Sequence, residues 1–448
     1  MIDSRLYKRE LFRLLQLSIP LTLAQLAQSS MGFVDTMMAG RVSAQDLAAV
    51  AIGSSLWFPL FLFLLGLLSA LTPLVAQANG ARDRELLRHL PLQGLYLGFG
   101  GGTLLGMLLP QANVLLPWLQ VDNALTPLIV GYLKAVSWGF PAIGACFALR
   151  HCCEGLALSR PSMIVSFCGL GINIIANTLL VFGKLGFPAL GGIGCGVATA
   201  ITMWIMLALM ILLFLRLPQP DSGSSQGQLA WRPSLLRQVL KLGLPIGCGM
   251  FIECSAFAVI ALLISRFGAT QVAAHQIALN FASMIFMIPL SLGNATAVRV
   301  GYSIGRQRRH QIYCSAWTGI STALVFSCFS FLAISVFPEL WASLYTTDSI
   351  LLSQAAALLQ LAALFQLPDA FQVSCAGALR GCKDTRIPLL LQICAYWLVS
   401  LPCGCWFGLV KHMEARGFWI GLICGLCTAA LMLGWRLHSS LRRITATR

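Results

Sequence analysis

Charged residues are scarce in this sequence. Only 10% of its 448 residues are Asp, Glu, Lys or Arg, and 58% are hydrophobic. A soluble domain carries about 25% charged residues, so the composition excludes an ordinary soluble fold and indicates a chain embedded in a lipid bilayer. The net charge of +15 would suggest nucleic acid as the partner of a soluble protein. In membrane proteins basic residues collect in cytoplasmic loops, and we therefore expect no nucleic-acid partner.

Signatures of soluble enzymes are also missing. The sequence has no G-x-x-x-x-G-K-[ST] phosphate loop and no H-E-x-x-H zinc helix. Its sixteen cysteines are scattered through apolar segments. They lack the spacing of a zinc site and are expected to behave as small hydrophobic residues. We therefore expect neither an enzyme nor a cofactor.

Apolar runs separated by charged or turn-rich breaks predict twelve transmembrane helices. About 20 residues cross the hydrocarbon core of a bilayer as a helix. The runs lie at residues 16–38, 47–74, 92–110, 128–149, 163–183, 193–215, 242–264, 272–298, 315–337, 351–379, 388–408 and 417–436. The sequence thus predicts an all-α integral membrane protein.

The second half of the chain repeats the first. Residues 17–20 (LSIP) match residues 242–245 (LGLP) at an offset of 225 (245 − 20). Residues 41–52 (RVSAQDLAAVAI) match residues 266–277 (RFGATQVAAHQI) at the same offset. Because each half has six predicted helices, both halves enter the membrane in the same direction. We predict two pseudo-symmetric six-helix lobes in a parallel repeat.

Basic residues orient the predicted helices. If both termini are cytoplasmic, most of the 30 Lys and Arg residues lie on the cytoplasmic side, as is usual for membrane proteins. We expect a multi-pass protein of the bacterial inner membrane, a monomer surrounded by lipid. The predicted parts are an amino-terminal lobe at 1–217, a cytoplasmic linker rich in Pro, Gly and Ser at 218–234, and a carboxy-terminal lobe at 235–448.

Three carboxylates fall inside predicted spans: Asp35, Glu253 and Asp369. A charged side chain at membrane depth costs about 2.5–3.5 kcal/mol on insertion scales, so each should face protein or water and mark a functional site. A carboxyl group removed from water takes up a proton more readily. Alternatively, two close carboxylates can hold a monovalent cation together with carbonyl and hydroxyl oxygen atoms. The sequence leaves the choice between H⁺ and Na⁺ open.

Prolines and amides within the spans give further candidates. A proline inside a helix frees the carbonyl group one turn earlier, so Pro20 and Pro368 predict hinges in the first and tenth spans. The carbonyl group freed by Pro368 would lie near Asp369 and offer another oxygen atom. Asn173 and Asn177 lie one turn apart in the fifth span. Their amides are suited either to bonding neighbouring helices or to a functional site.

Four stretches carry a resemblance to a known family. They are VDTMMAGRVSAQDLAAVAIGSSLW, GGIGCGVATAI, AAHQIALNFASMIFMIPLSLGNATAVRVGYSIG and ALRGCKDTRIP. Together they resemble the multidrug and toxic compound extrusion (MATE) family, its NorM-type branch in particular, over nearly the whole chain. The resemblance implies twelve helices in two lobes and a central cavity open to one side at a time. It also implies export of cationic, often aromatic drugs in exchange for Na⁺ or H⁺.

The resemblance assigns roles to several residues. It implies that the coupling cation binds at Glu253 and Asp369 in the carboxy-terminal lobe. It implies that Asp35, Asn173 and Asn177 form a polar cluster in the amino-terminal lobe that takes part in protonation or cation exchange.

The predicted substrate cavity is lined by side chains of the eighth and tenth spans. Gln276 and Asn280 share one helical face, and Met287 offers an adaptable apolar wall. Phe286 and Phe365 stand where related members can have a tyrosine. These two departures keep aromatic contacts to a cationic drug but remove a hydroxyl group.

Three other classes of function are distinguishable from drug export. A lipid or glycolipid flippase of similar lobed architecture would need basic residues inside the spans to meet phosphate, and Lys134 alone qualifies. A membrane-embedded transferase would need clustered acidic metal ligands such as D-x-x-x-D, which the sequence lacks. In a passive channel, alanine at position 253 would leave flux intact, whereas in an antiporter it would abolish coupling.

Overall fold

The computed structural model describes residues 4–116, 124–217 and 231–446, and within these ranges the chain forms helices and no strands. Residues 218–230 of the predicted linker lie outside the described residues. The α-helices are α1 (Ser4–Gly40), α2 (Ala44–Ser69), α3 (Leu71–Ala81), α4 (Arg84–Leu108), α5 (Thr126–Ser137), α6 (Phe140–Gly155), α7 (Arg160–Leu180), α8 (Gly192–Leu215), α9 (Pro233–Ile264), α10 (Ala269–Gly305), α11 (Arg309–Val336), α12 (Pro338–Ser343), α13 (Ser349–Gly381), α14 (Arg386–Ile393), α15 (Leu401–Cys405) and α16 (Glu414–Ala446). Two π-helical segments, Cys394–Ser400 and Trp406–Val410, flank α15.

The helices account for the twelve predicted spans. In the described part of the chain, ten helical stretches are long and apolar enough to cross a membrane, and the bent pair of α5 and α6 gives an eleventh. The more polar α1 supplies the twelfth. The prediction of an all-α membrane protein with two six-helix lobes is confirmed.

The fourth span differs from its prediction. We predicted an unbroken helix at 128–149, but α5 and α6 meet at an angle of 43°. Pro141 lies in the first turn of α6, where its missing N–H group and fixed φ favour the start of a new helix over the continuation of α5. After the bend, α6 continues to Gly155, six residues beyond the predicted end.

The chain forms two compact units. The N-unit comprises Leu23–Gly247, and the C-unit comprises Met1–Thr22 together with Cys248–Arg448. The dividing points therefore fall inside α1 and α9. The lobe boundaries at 1–217, 218–234 and 235–448 remain a prediction from the repeat.

Close helix packing in the N-unit depends on glycine. Gly94, Gly98 and Gly102 of α4 are buried at intervals of four residues, the spacing that lets helix backbones approach closely. Gly98 lies directly against the carbonyl group of Gly144 on α6. A side chain at either position would enter the backbone of the other helix.

A buried ion pair attaches the start of α1 within the C-unit. Glu10 is 1% exposed, and its two carboxylate oxygens accept hydrogen bonds from Arg299 of α10 at 2.7–3.0 Å. Gln311 donates at 2.8 Å and Ser315 at 3.1 Å, both from α11. Every donor therefore converges on one carboxylate, a geometry that offsets the cost of burying the charge.

Replacing Glu10 by alanine is expected to destabilise the protein by about 3–5 kcal/mol, because Arg299 would stay buried without its counter-charge. Thermal unfolding of the purified protein in detergent measures this loss. Arg13→Ala is the matched control: Arg13 is 53% exposed and lies 3.8 Å from Glu10, so its loss should cost under about 1 kcal/mol. An unchanged melting temperature for Glu10→Ala would contradict this account.

Candidate functional site

The N-unit encloses a carboxylate surrounded by neutral donors. Asp35 on α1 is 7% exposed, and its Oδ1 accepts hydrogen bonds from Asn177 at 2.7 Å and Asn173 at 3.1 Å. Both amides lie on α7, where their spacing of four residues places them on one face. Thr199 of α8 donates to Oδ2 at 2.9 Å. The structure thus joins three residues singled out in the sequence and adds Thr199, which we did not predict.

This cluster can hold negative charge without a basic partner. No Lys, Arg or His side chain among the described residues forms an ion pair with Asp35. Three donors on two helices stabilise the ionised carboxylate. These three hydrogen bonds join α1 to α7 and α8, and protonation of Asp35 would weaken them because a neutral carboxyl group is a poorer acceptor than a carboxylate.

The C-unit contains two carboxylates that are close enough for the charge of one to act on the other. Glu253 of α9 is half-buried, Asp369 of α13 is buried, and the charge on Glu253 acts on Asp369. The hydroxyl group of Tyr396 donates to Glu253 Oε1 at 2.7 Å. It also lies 3.4 Å from the amide oxygen of Gln372. Sequence reasoning predicted the two carboxylates but missed the tyrosine and the glutamine.

The chemistry of these side chains suits a proton or a hard monovalent cation. Two carboxylates, a hydroxyl group and an amide supply only oxygen ligands, which hard cations prefer. No group of three or more His, Cys, Asp or Glu side chains in residues 4–116, 124–217 and 231–446 is arranged to hold a metal ion. Any cation at Glu253 and Asp369 would therefore have to complete its coordination with neutral oxygen atoms.

Aromatic rings surround the same part of the C-unit. Phe365 is buried, with its ring centroid 6.2 Å from that of Phe257 and 5.7 Å from that of Trp419. Phe257 lies 6.5 Å from Tyr396. Phe365, predicted to line a substrate cavity, is thus part of an aromatic cluster next to the carboxylate pair. Tyr396 brings a hydroxyl group to this cluster from a different helix.

The remaining predicted cavity residues lie on α10 and are more accessible. Gln276 and Asn280 are exposed, and Phe286 and Met287 are half-buried. Asn280 accepts a hydrogen bond from Tyr345 at 3.2 Å. Hydrogen bonds within the described residues do not connect this group to the carboxylate pair, and its role in a substrate cavity stays a prediction.

The two prolines with predicted hinge roles lie in continuous helices. α1 runs through Pro20 and α13 runs through Pro368 without a break. The hydroxyl group of Ser327 on α11 donates to the backbone carbonyl of Gln366 at 2.7 Å. A side chain of α11 therefore bonds the backbone of α13 two residues before Pro368. The hinge roles stay predictions.

The N-unit holds a second buried polar cluster that sequence reasoning missed. Arg150 of α6 donates to Glu154 at 2.8 Å and to Gln28 of α1 at 3.0 Å. Glu154 also lies 3.2 Å from His151 Nδ1. At the repeat offset of 225, Gln28 corresponds to Glu253 (253 − 225). The two halves therefore place a neutral amide and a carboxylate at equivalent positions, and the amide is held by an ion pair.

The fold and these clusters define the class of the protein. It is a multi-pass α-helical membrane protein with two six-helix lobes and carboxylates within its helices. Residues 20–179 and 245–406 each match the family MatE, and the chain belongs to that family. The two matches begin 225 residues apart (245 − 20) and end 227 apart (406 − 179), so their starts have the offset of the sequence repeat.

Similar proteins are known from bacteria. The probable multidrug resistance protein NorM of Shewanella oneidensis is 42% identical over 95% of this chain and 94% of its own length. The multidrug resistance protein NorM of Vibrio vulnificus (strain YJ016) is 43% identical over 96% of each chain. The predicted resemblance to the NorM-type branch is confirmed.

Solved structures share the fold at lower sequence identity. The eukaryotic MATE transporter AtDTX14 has a TM-score of 0.87 and 22% identity, with coverage of 98% of this chain and 99% of its own. An outward-facing multidrug resistance MATE family transporter of the MOP superfamily has a TM-score of 0.89 and 19% identity, with coverage of 98% and 97%. These likenesses establish a common architecture across the full chain.

Proposed function

We propose that this protein is a secondary active multidrug efflux antiporter. It exports cationic organic compounds in exchange for Na⁺ or H⁺ by alternating access. Relatives at 42–43% identity are named multidrug resistance proteins, which supports drug export as the general function. The observation that carries the coupling mechanism is the pair of Glu253 and Asp369, two neighbouring carboxylates that form no ion pair with any basic side chain among the described residues.

In this mechanism the carboxylate pair binds a positive charge in each half of the cycle. Two close negative charges repel one another, so a cation near both lowers their energy. A drug cation does this when it is loaded, and Na⁺ or H⁺ does it after the drug has left. Because the first ligand neutralises the charge that attracts the second, the two ligands compete. Each shifts the equilibrium between conformations only by its difference in affinity for them.

Asp35 provides a second exchange group in this proposal. Its ionised form accepts three hydrogen bonds from α7 and α8, and its protonated form is a weaker acceptor of them. Proton uptake would therefore loosen α1 from these helices. This converts a local change of charge into a change of helix contacts, which an alternating-access cycle requires.

The proposed setting and substrates follow from the same features. We place the protein in a bacterial inner membrane with both termini in the cytoplasm. The membrane potential there supplies about 2.3 kcal/mol per unit charge for each 100 mV. We infer small aromatic cations as substrates and lipid as the surrounding partner of a monomer. Phe286 and Met287 provide apolar surface that can adapt to different drugs. No cofactor takes part in this exchange.

Gradient-driven transport in vesicles tests the proposed function. Purified protein is reconstituted into vesicles loaded with ethidium, a flat aromatic cation, and a Na⁺ or a pH gradient is imposed separately. We expect at least one gradient to drive ethidium export, and an ionophore that collapses that gradient to stop it. Export at the background rate of protein-free vesicles under both gradients would contradict antiport.

A further inference from the structure

An unusual stretch of helix places the hydroxyl group of Tyr396 in the C-unit. Tyr396 lies in the π-helical segment Cys394–Ser400 and is 0% exposed. A π-helical turn adds a residue to the helix and redirects the side chains around it, and such turns are frequent at functional sites. The ring packs near Phe257. Its hydroxyl group is therefore fixed in position by packing and by the local backbone.

The hydroxyl group of Tyr396 bonds one of the two carboxylates and not the other. It donates to Glu253 at 2.7 Å, the usual length of a well-formed O–H···O hydrogen bond. The alternative acceptor, the amide oxygen of Gln372, is 3.4 Å away and can receive at most a weak bond. Asp369 forms no hydrogen bond with any side chain in the described ranges. One carboxylate of the pair is thus supported by a donor, and the other is not.

We propose that Tyr396 is a positioning residue for cation coupling, which favours the ionised form of Glu253 and fixes one of its oxygen atoms so that the two carboxylates become unequal. The proposal rests on the antiport function inferred above and adds a third residue to the coupling step. A donor hydrogen bond stabilises the charged form of a carboxylate over its protonated form. Glu253 therefore gives up its negative charge less readily than it would without the donor, and proton exchange is shifted toward Asp369.

Tyr396 also lies among the aromatic rings next to the carboxylate pair. The ring of Phe257 lies beside those of both Phe365 and Tyr396. Phe365 carries no hydroxyl group, so within this trio the hydroxyl group comes from Tyr396, and it is bonded to Glu253.

Tyr396→Phe tests this role because it removes the hydroxyl group and keeps the ring. In ethidium-loaded vesicles we expect an unchanged maximal rate and about a tenfold change in the half-saturating concentration of the driving ion. For Na⁺ this concentration should rise, because Glu253 loses the contact that fixes its oxygen atom. For H⁺ it should fall, because a carboxylate without its donor binds a proton more readily.

Tyr7→Phe is the matched control. Tyr7 is a half-buried tyrosine of the C-unit whose hydroxyl group lies 3.1 Å from that of Ser321 and bonds no carboxylate in the described part of the chain. Its removal should leave the half-saturating ion concentration unchanged. If Tyr396→Phe lowers only the maximal rate, or behaves like Tyr7→Phe, the positioning role is wrong.

Infrared difference spectroscopy separates this inference from the proposed function. Carboxylate bands of the purified protein are assigned by their loss in Glu253→Gln and in Asp369→Asn. In Tyr396→Phe we expect the Glu253 band to shift and the Asp369 band to stay. If neither band shifts, the inference fails whether or not the vesicles transport. If the Glu253 band shifts but neither gradient drives export, the antiport function fails and the contact with Tyr396 stands.

Discussion

Replacing Asp369 by asparagine, or Glu253 by glutamine, is expected to lower gradient-driven drug export by about 100-fold. Each change keeps the size of the side chain and removes one negative charge from the pair. Without that charge the site binds a cation more weakly. The drug and the ion then no longer compete for the same negative charges, and their transport is no longer coupled. The fold should persist, because neither carboxylate forms an ion pair with a basic side chain in the described chain.

Export of ethidium from vesicles under the effective gradient measures this loss. Glu339→Gln is the matched control, since it makes the same chemical change at an exposed residue in the first turn of α12. That variant should transport like the parent. Equal export by the parent and by both carboxylate variants, at equal protein content, would show that the pair is dispensable.

Replacing Gly98 by leucine is expected to prevent correct folding. A Cβ atom at this position would meet the carbonyl group of Gly144 on the facing helix. Because the obstacle is backbone, a change of rotamer cannot relieve it, and α4 would have to move away from α6. We expect a loss of at least about 4 kcal/mol, the range seen for severe packing errors. Size-exclusion chromatography and thermal unfolding in detergent report the fraction of folded protein.

The control for this prediction lies two residues further along α4. Gly100 is exposed, and a Cβ atom there would meet nothing within 4 Å. Gly100→Leu adds the same side chain to the same helix and should behave like the parent. If both variants fold equally well, the close approach of α4 and α6 is not required.

Much of the fold could be predicted because bilayer crossing leaves a strong pattern in sequence. Apolar runs gave the twelve spans, and the repeated segments gave the offset at which the family matches begin. The bend between α5 and α6 could not be read from hydrophobicity, because the residues on both sides of it are apolar. Pro141 was the available signal, since a proline restarts a helix as readily as it ends one.

The candidate site was predictable only where it carries charge. Asp35, Glu253 and Asp369 stood out because an unneeded carboxylate inside a span is costly. Thr199 did not stand out because a threonine hydroxyl in a helix can bond its own backbone. Tyr396 did not stand out because its ring packs among apolar side chains like other aromatic residues. Their roles depend on which carboxylate lies opposite, and that is a property of the tertiary structure.

Buried ion pairs were missed for a different reason. Arg150 and Glu154 were placed in a loop because charged residues usually end a span. In the structure they bond each other on α6, which offsets the cost of burial. Their spacing of four residues on one helix was the available signal. Glu10 and Arg299 bond across 289 positions of sequence, and no local pattern could have revealed that contact.

Equilibrium binding of ethidium to the purified protein tests most directly whether drug and ion compete for the same negative charges. The dissociation constant for ethidium is measured by fluorescence over a range of Na⁺ concentrations at fixed pH, and over a range of pH without Na⁺. We expect ethidium to bind more weakly as the coupling ion increases, and the ion to bind more weakly as ethidium increases, by the same factor. A dissociation constant that stays the same at every Na⁺ concentration and every pH would contradict the account.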